Sequence, residues 1–177
     1  MREYGSGGAR VIVLHGGPGA AGYLERVARE LGSTFRVLEP LQRGSGGEAL
    51  SVARHVADLG EVVEAFCGDE PFALVGHSWG AMLALAYAAA HPRRAAALVL
   101  VNSGTFDPAA RAAFRANLDA RMDDGLRQRI AQLPQEIPDR DLRLKTQLEL
   151  LLPLYSHELL PPGMAIESWD ARASWRP

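Results

Sequence analysis

The chain has 177 residues, 47% of them hydrophobic, with 19 basic and 21 acidic side chains for a formal net charge of -2. That length and composition suit one compact domain, or one domain with a small appendage, and supply enough apolar material for a core. The balanced charge and lack of a basic face speak against nucleic-acid binding, since the one basic cluster, Arg93-Arg94, ends a predicted helix where cations suit the helix dipole.

In chain order, Arg10 to Leu14 (RVIVL) is a short β-branched run that stops at glycines and predicts a buried strand. Leu24, Val27, Ala28 and Leu31 then share one face of a predicted helix ended by Gly32. Phe35 to Leu38 predicts a second strand, leading into the glycine-rich loop Gln42-Arg43-Gly44-Ser45-Gly46-Gly47. Val52, Val56, Leu59, Val63 and Phe66 have helical spacing. Phe72 to Val75 predicts a third strand, Ala81 to Ala90 a helix ended by His91-Pro92, and Leu98 to Val101 a fourth strand. Such alternation indicates a parallel sheet built from strand–helix–strand units, an α/β fold with helices on both faces. From Asp107 the composition shifts to Arg, Leu and acids at helical spacing, with prolines and no strand-like run. The expected division is therefore residues 1–104 as the α/β part and residues 105–177 as a helical segment.

Gly76-His77-Ser78-Trp79-Gly80 lies between a predicted strand and a predicted helix. A bare G-x-S-x-G match is weak, because glycine is common. The strand-to-helix setting makes it specific, since the motif's chemistry needs the serine on a sharp, strained turn that lifts its hydroxyl to the carboxyl end of the sheet. The same turn puts the Trp79 amide at a helix N-terminus, where it can stabilise a developing oxyanion.

His15-Gly16-Gly17-Pro18-Gly19 directly follows the first predicted strand, and a backbone amide there, assigned to Gly17, can supply a second oxyanion donor. An ordinary tight turn is the plainer alternative. A rival reading also exists. Gly17 to Gly22 fits G-x-G-x-x-G, with Glu39 placed to hold a ribose in a dinucleotide-binding Rossmann-type module. Against it, the pattern starts two residues late, Pro18 removes an N–H from the phosphate-facing turn, and the serine turn goes unexplained.

HGGPG at 15–19, QRGSG at 42–46 and GHSWG at 76–80 together resemble the proline iminopeptidase-like branch of the α/β-hydrolase superfamily. The resemblance covers residues 4 to 104 well, and the following helices look like the start of that family's cap. It implies Ser78 as nucleophile, Gly17 and Trp79 as oxyanion-hole amides, and Arg43 as an organising residue of its loop. It also implies a serine hydrolase acting on a small peptide, amide or ester, with no metal or organic cofactor. Leu41 stands where the family often has aspartate, so the resemblance leaves open whether the substrate is a peptide with an N-terminal proline.

Serine needs a base oriented by an acid, and in this superfamily the order is serine, acid, histidine. His157 is the histidine that follows both Ser78 and a later acid, but its surroundings predict helix. Asp107 is a candidate acid, and a helix cap before Pro108 explains it equally well. His15 and His77 belong to motifs whose histidines pack or orient loops. His55 lies within a predicted helix and His91 ends one. Glu149, Glu158 and Glu167 could hold a peptide's amino end, though solvated helix faces are the commoner role. Trp169 and Trp175 are candidates for a pocket lining or for core.

The sequence stops within cap-like sequence, so a shortened form is expected, with a non-catalytic hydrolase relic acting by binding as a further alternative. An interrupted sheet would expose apolar surface and favour self-association. Cys67 is the only cysteine, so no intrachain disulfide can form, in keeping with a reducing compartment. MREYGSGGAR has no secretory apolar core, and Ala81 to Ala90 falls short of the roughly 20 residues a membrane span needs. The expected place is the cytoplasm, with no nucleic-acid or membrane partner.

Overall fold

In chain order the elements are β1 (Arg2–Tyr4), β2 (Arg10–Leu14), β3 (Ala20–Ala21), α1 (Glu25–Leu31), β4 (Arg36–Glu39), α2 (Val52–Cys67), β5 (Phe72–His77), α3 (Trp79–Ala90), β6 (Ala97–Val101), α4 (Pro108–Arg121), α5 (Asp124–Glu136), α6 (Arg140–Tyr155) and β7 (Ser168–Trp169). They come from a computed structural model that describes residues 1–44, 50–155 and 166–173. The chain divides into two units, Met1–Gly104 with Met164–Pro177, and Thr105–Gly163.

The first unit is built on a five-stranded sheet of order β1-β4-β2-β5-β6. β4, β2, β5 and β6 are parallel, and β1 runs antiparallel along β4. Why β2 lies inside follows from its sequence: RVIVL has apolar side chains on both faces, as a doubly covered parallel strand requires. Ile12 and Leu14 join Leu59, Val63, Leu74, Leu83 and Tyr87 on the face covered by α2 and α3. Val11 and Val13 join Tyr23, Leu24, Ala28 and Val37 on the face covered by α1. Ser51 caps α2 by accepting the Arg54 N–H at 3.1 Å.

β6 is different. All five residues of ALVLV are exposed, and among the described residues no strand pairs with its outer edge. The opposite edge strand, β1, carries Arg2 and Glu3.

The second unit contains α4, α5 and α6. Asp107, Asp123 and Asp139 begin these helices, accepting the amides of Ala109, Leu126 and Leu142 at 2.9, 2.7 and 2.7 Å. Packing is thin: Leu133 is its one buried residue among those described. Phe114 and Tyr155 meet at 5.9 Å between ring centres yet stay half exposed.

Two expectations need correction. β1 was not foreseen, because three residues with two charges carry no apolar alternation. Nor is the C-terminal stretch wholly helical, since β7 pairs antiparallel with β3, Ala20 against Trp169 and Ala21 against Ser168. The Glu167 N–H to Ala21 O bond (2.9 Å) and the Asp170 N–H to Gly19 O bond (2.7 Å) extend that pairing. A two-residue strand made by loop-to-loop contact leaves no periodic trace in a sequence.

Candidate active site

β5 runs directly into Ser78, which has φ 55° and ψ -115° and stands as the N-cap of α3. A side-chain-bearing residue at such a φ is strained and persists only when its surroundings hold it there. The holding contacts are specific. Ser78 N–H donates to the Val101 carbonyl at the end of β6 (2.9 Å), and Ser78 O accepts the Ala81 amide (3.1 Å).

The flanking glycines make this geometry sterically accessible. A Cβ on Gly80 would lie 2.1 Å from Leu14 O, and one on Gly76 would lie 2.4 Å from Gly80 O. Neither position admits a side chain, because strand ends and first helical turn meet backbone to backbone. Ser78 is half-buried, and among the described residues its hydroxyl has no hydrogen-bond partner. Trp79 opens α3, so its amide belongs to the first turn, whose N–H groups face the Ser78 turn.

The HGGPG loop lies against this turn. A Cβ on Gly16 would be 2.9 Å from Ser78 Cβ and 3.1 Å from His77 O. The Gly16 N–H is already engaged, donating to the Tyr23 hydroxyl at 2.7 Å. Gly17, exposed and with φ 113°, supplies the next amide along.

Gln42 ties three segments together. Its backbone N–H donates to His15 Nε2 (3.0 Å), its side-chain amide donates to His15 O (2.6 Å), and its Oε1 accepts the Trp79 indole N–H (2.9 Å). With Nε2 accepting, the His15 proton sits on Nδ1, which donates to Gly16 O at 2.9 Å. His55 from α2 completes the cluster edge-on to Trp79, with 5.4 Å between ring centres. Arg43 grips Asp58 through two bonds of 2.7 and 3.0 Å, and these hold the Asp58 carboxyl below the usual carboxylate range. Ser45 and Gly46 of the same loop lie outside the described residues.

Asp107 belongs to the second unit, where its carboxylate caps α4. His157, Glu158 and Trp175 lie outside the described residues. Glu149 pairs with Lys145 at 3.9 Å one helical turn away, the solvated-face role. Glu167 pairs with Arg2 and packs on Gly22. Trp169 is half-buried in β7. Glu39, the ribose ligand of the dinucleotide alternative, is fully buried, with Tyr4 and Arg2 donating to it at 3.2 and 3.4 Å. Burial pushes its carboxyl above the ordinary range. A ribose cannot reach it, and the loop from Gly17 leads first into β3 instead of opening a helix.

The alpha/beta hydrolase fold family matches residues 9–170 of this chain. The chain belongs to that family. Within it, a proline iminopeptidase of Neisseria gonorrhoeae is 39% identical over 100 residues, covering 52% of this chain and 32% of that protein. A cis-3-alkyl-4-alkyloxetan-2-one decarboxylase of Shewanella oneidensis is 29% identical over 107 residues, covering 56% and 34%. The solved structure of a marine microorganism esterase superposes with a TM-score of 0.54 at 24% identity, covering 86% of this chain and 61% of the esterase. The chain thus spans about a third of the length of these two curated relatives.

Sequence reasoning missed Tyr23, the Gln42 junction and the Arg43–Asp58 pair. Gln42 and Arg43 sat inside a recognised motif, whereas Tyr23 carried no local signal beyond an aromatic at the start of a helix.

His15, His55 and His77 are each held below the ordinary histidine pKa, chiefly by burial. As pH falls, the unfolded chain takes up these protons first. The histidines' contribution to stability is therefore complete above about 6.5 and is lost as pH falls through their folded midpoints. NMR titration of the three rings is expected to place every midpoint below about 6.5. Midpoints at or above that value would contradict the burial described for them.

Proposed function

We propose that this hydrolase-family chain is a serine hydrolase that acts on a small peptide, amide or ester through an acyl-enzyme. The observation that carries the reading is Ser78 at φ 55° on a strand–turn–helix, half-buried and with no hydrogen-bond partner for its hydroxyl among the described residues. Ser78 attacks the carbonyl, and the oxygen, now negative, is stabilised by the amides of Gly17 and Trp79. Tyr23 occupies the Gly16 amide, which favours Gly17 as the loop's donor. The similar proteins are named for an iminopeptide, an ester and an oxetan-2-one, and each of these presents a carbonyl.

A general base must take the serine proton. His157 is kept as a candidate base on its place in the sequence, after Ser78 and a later acid. Asp107 is the weaker candidate as acid, because its carboxylate already serves a helix end.

Among the described residues no helix is long and apolar enough to cross a membrane. We place the reaction in the cytoplasm, since a chain with one buried, free cysteine needs no oxidising environment.

A fluorophosphonate probe is expected to label Ser78, and Ser78→Ala is expected to lower labelling and ester hydrolysis by a factor on the order of 10³ or more. Mass spectrometry of the labelled peptide checks this. A label on another residue, or undiminished hydrolysis in Ser78→Ala, contradicts the reading.

We further propose self-association through β6. Its ALVLV sequence is uncharged, and antiparallel pairing centred on Val99 sets Leu98 against Leu100 and Ala97 against Val101 of a second copy. An open apolar strand of this kind is a template for such pairing. Sedimentation is expected to show association that Val99→Lys reduces at least several-fold; equal association in the variant would rule out this edge.

A further inference from the structure

Tyr23 lies between Gly22 and α1, and only 9% of its surface is exposed. Its oxygen makes two short bonds. It accepts the Gly16 N–H at 2.7 Å and donates to His77 Nδ1 at 2.5 Å, with the two rings edge to face at 5.5 Å. Gly16 immediately precedes Gly17, and His77 immediately precedes Ser78. One phenol oxygen therefore joins the loop that offers an oxyanion amide to the turn that holds the nucleophile. A Cβ on Gly16 would meet that oxygen at 2.8 Å and Ser78 Cβ at 2.9 Å, so all three groups meet in one tightly packed spot.

One assignment of donors and acceptors gives every polar group here a partner. The Gly16 amide can only donate, so it takes a lone pair of the oxygen. The hydroxyl proton is then directed to the neutral Nδ1 of His77, whose own proton sits on Nε2. Burial raises the Tyr23 phenol to about 12, keeping it a donor across the working pH range.

We propose that Tyr23 is a positioning residue for the Ser78 reaction, its hydroxyl holding the Gly16–Gly17 loop and the His77–Ser78 turn in one register. This rests on the hydrolytic reading above and adds to it. The Gly17 and Trp79 amides come from different segments, and they must converge on one oxygen within a few tenths of an ångström to be effective. β2 and β5 are paired up to Leu14 and Gly76, but their ladder ends before either donor. Beyond that point Tyr23 bridges the two segments directly.

The test uses Tyr23→Phe, which keeps the buried ring and removes one oxygen, alongside His77→Leu and the double variant. The rate of fluorophosphonate labelling at Ser78 and kcat on a p-nitrophenyl ester are expected to fall about 10–100-fold in Tyr23→Phe, with KM changed less than about twofold. The double variant is expected to lose no more than the worse single variant, since both break one bridge. Removing a donor that favours neutral imidazole is also expected to raise the His77 midpoint in an NMR titration. Urea unfolding identifies any variant that fails to fold, and where Tyr23→Phe does so the same readouts are taken on His77→Leu, which breaks the bridge from its other end. Unchanged labelling and kcat in folded Tyr23→Phe overturn the proposal, as do losses that simply add in the double variant. If wild-type Ser78 fails to label, the hydrolytic reading falls and takes this role with it. A raised His77 midpoint in Tyr23→Phe would still show the bridge itself, so the two failures can be told apart.

Discussion

The constraint on which the site depends is a backbone-to-backbone contact. At Gly80 the first turn of α3 presses on the Leu14 carbonyl at the end of β2, and Gly76 faces the carbonyl of Gly80. With no side chain in either place, β5 can turn into a helix within a single residue. That residue, Ser78, takes the strain. The Val101 carbonyl of the neighbouring parallel strand accepts its amide, so the sheet that buries the core also holds the turn in its strained form.

Around this turn the protein places polar links instead of more apolar packing. Gln42 joins the His15 backbone and ring to the Trp79 indole, and Tyr23 joins the Gly16 amide to His77. Each link satisfies groups that would otherwise be costly to bury, and each is directional, which apolar contact is not. The β3–β7 pairing adds a third tie by fixing Gly19 to Ala21 from the other side. The outcome is a loop and a turn whose relative placement is set by several short bonds from different parts of the chain.

What could be seen in the sequence follows the range of the forces involved. β2, β5 and α2 were legible because burial imposes a period: RVIVL is apolar on both faces, and Val52 to Phe66 keeps helical spacing. The G-x-S-x-G turn was legible because its steric demand falls on residues two positions either side of the serine. Tyr23, β1 and β7 were not. Their roles come from partners 33 to 147 positions away, as with Tyr4 on Val37, Tyr23 on His77, and Ala21 on Ser168, and no local pattern encodes such pairings. Asp107 shows the reverse case. Its place before Pro108 announced a helix cap as clearly as a catalytic acid, and the carboxylate does cap α4.

Ser78 and two amides, those of Gly17 and Trp79, are proposed to converge on one reacting carbonyl. The most direct test is a crystal structure of the chain after reaction with a phosphonate, which mimics the tetrahedral intermediate. The phosphorus should be bonded to Ser78 Oγ, with one phosphonyl oxygen about 2.7–3.1 Å from both amide nitrogens. An adduct whose oxygen points to solvent, or receives neither amide, would contradict the account.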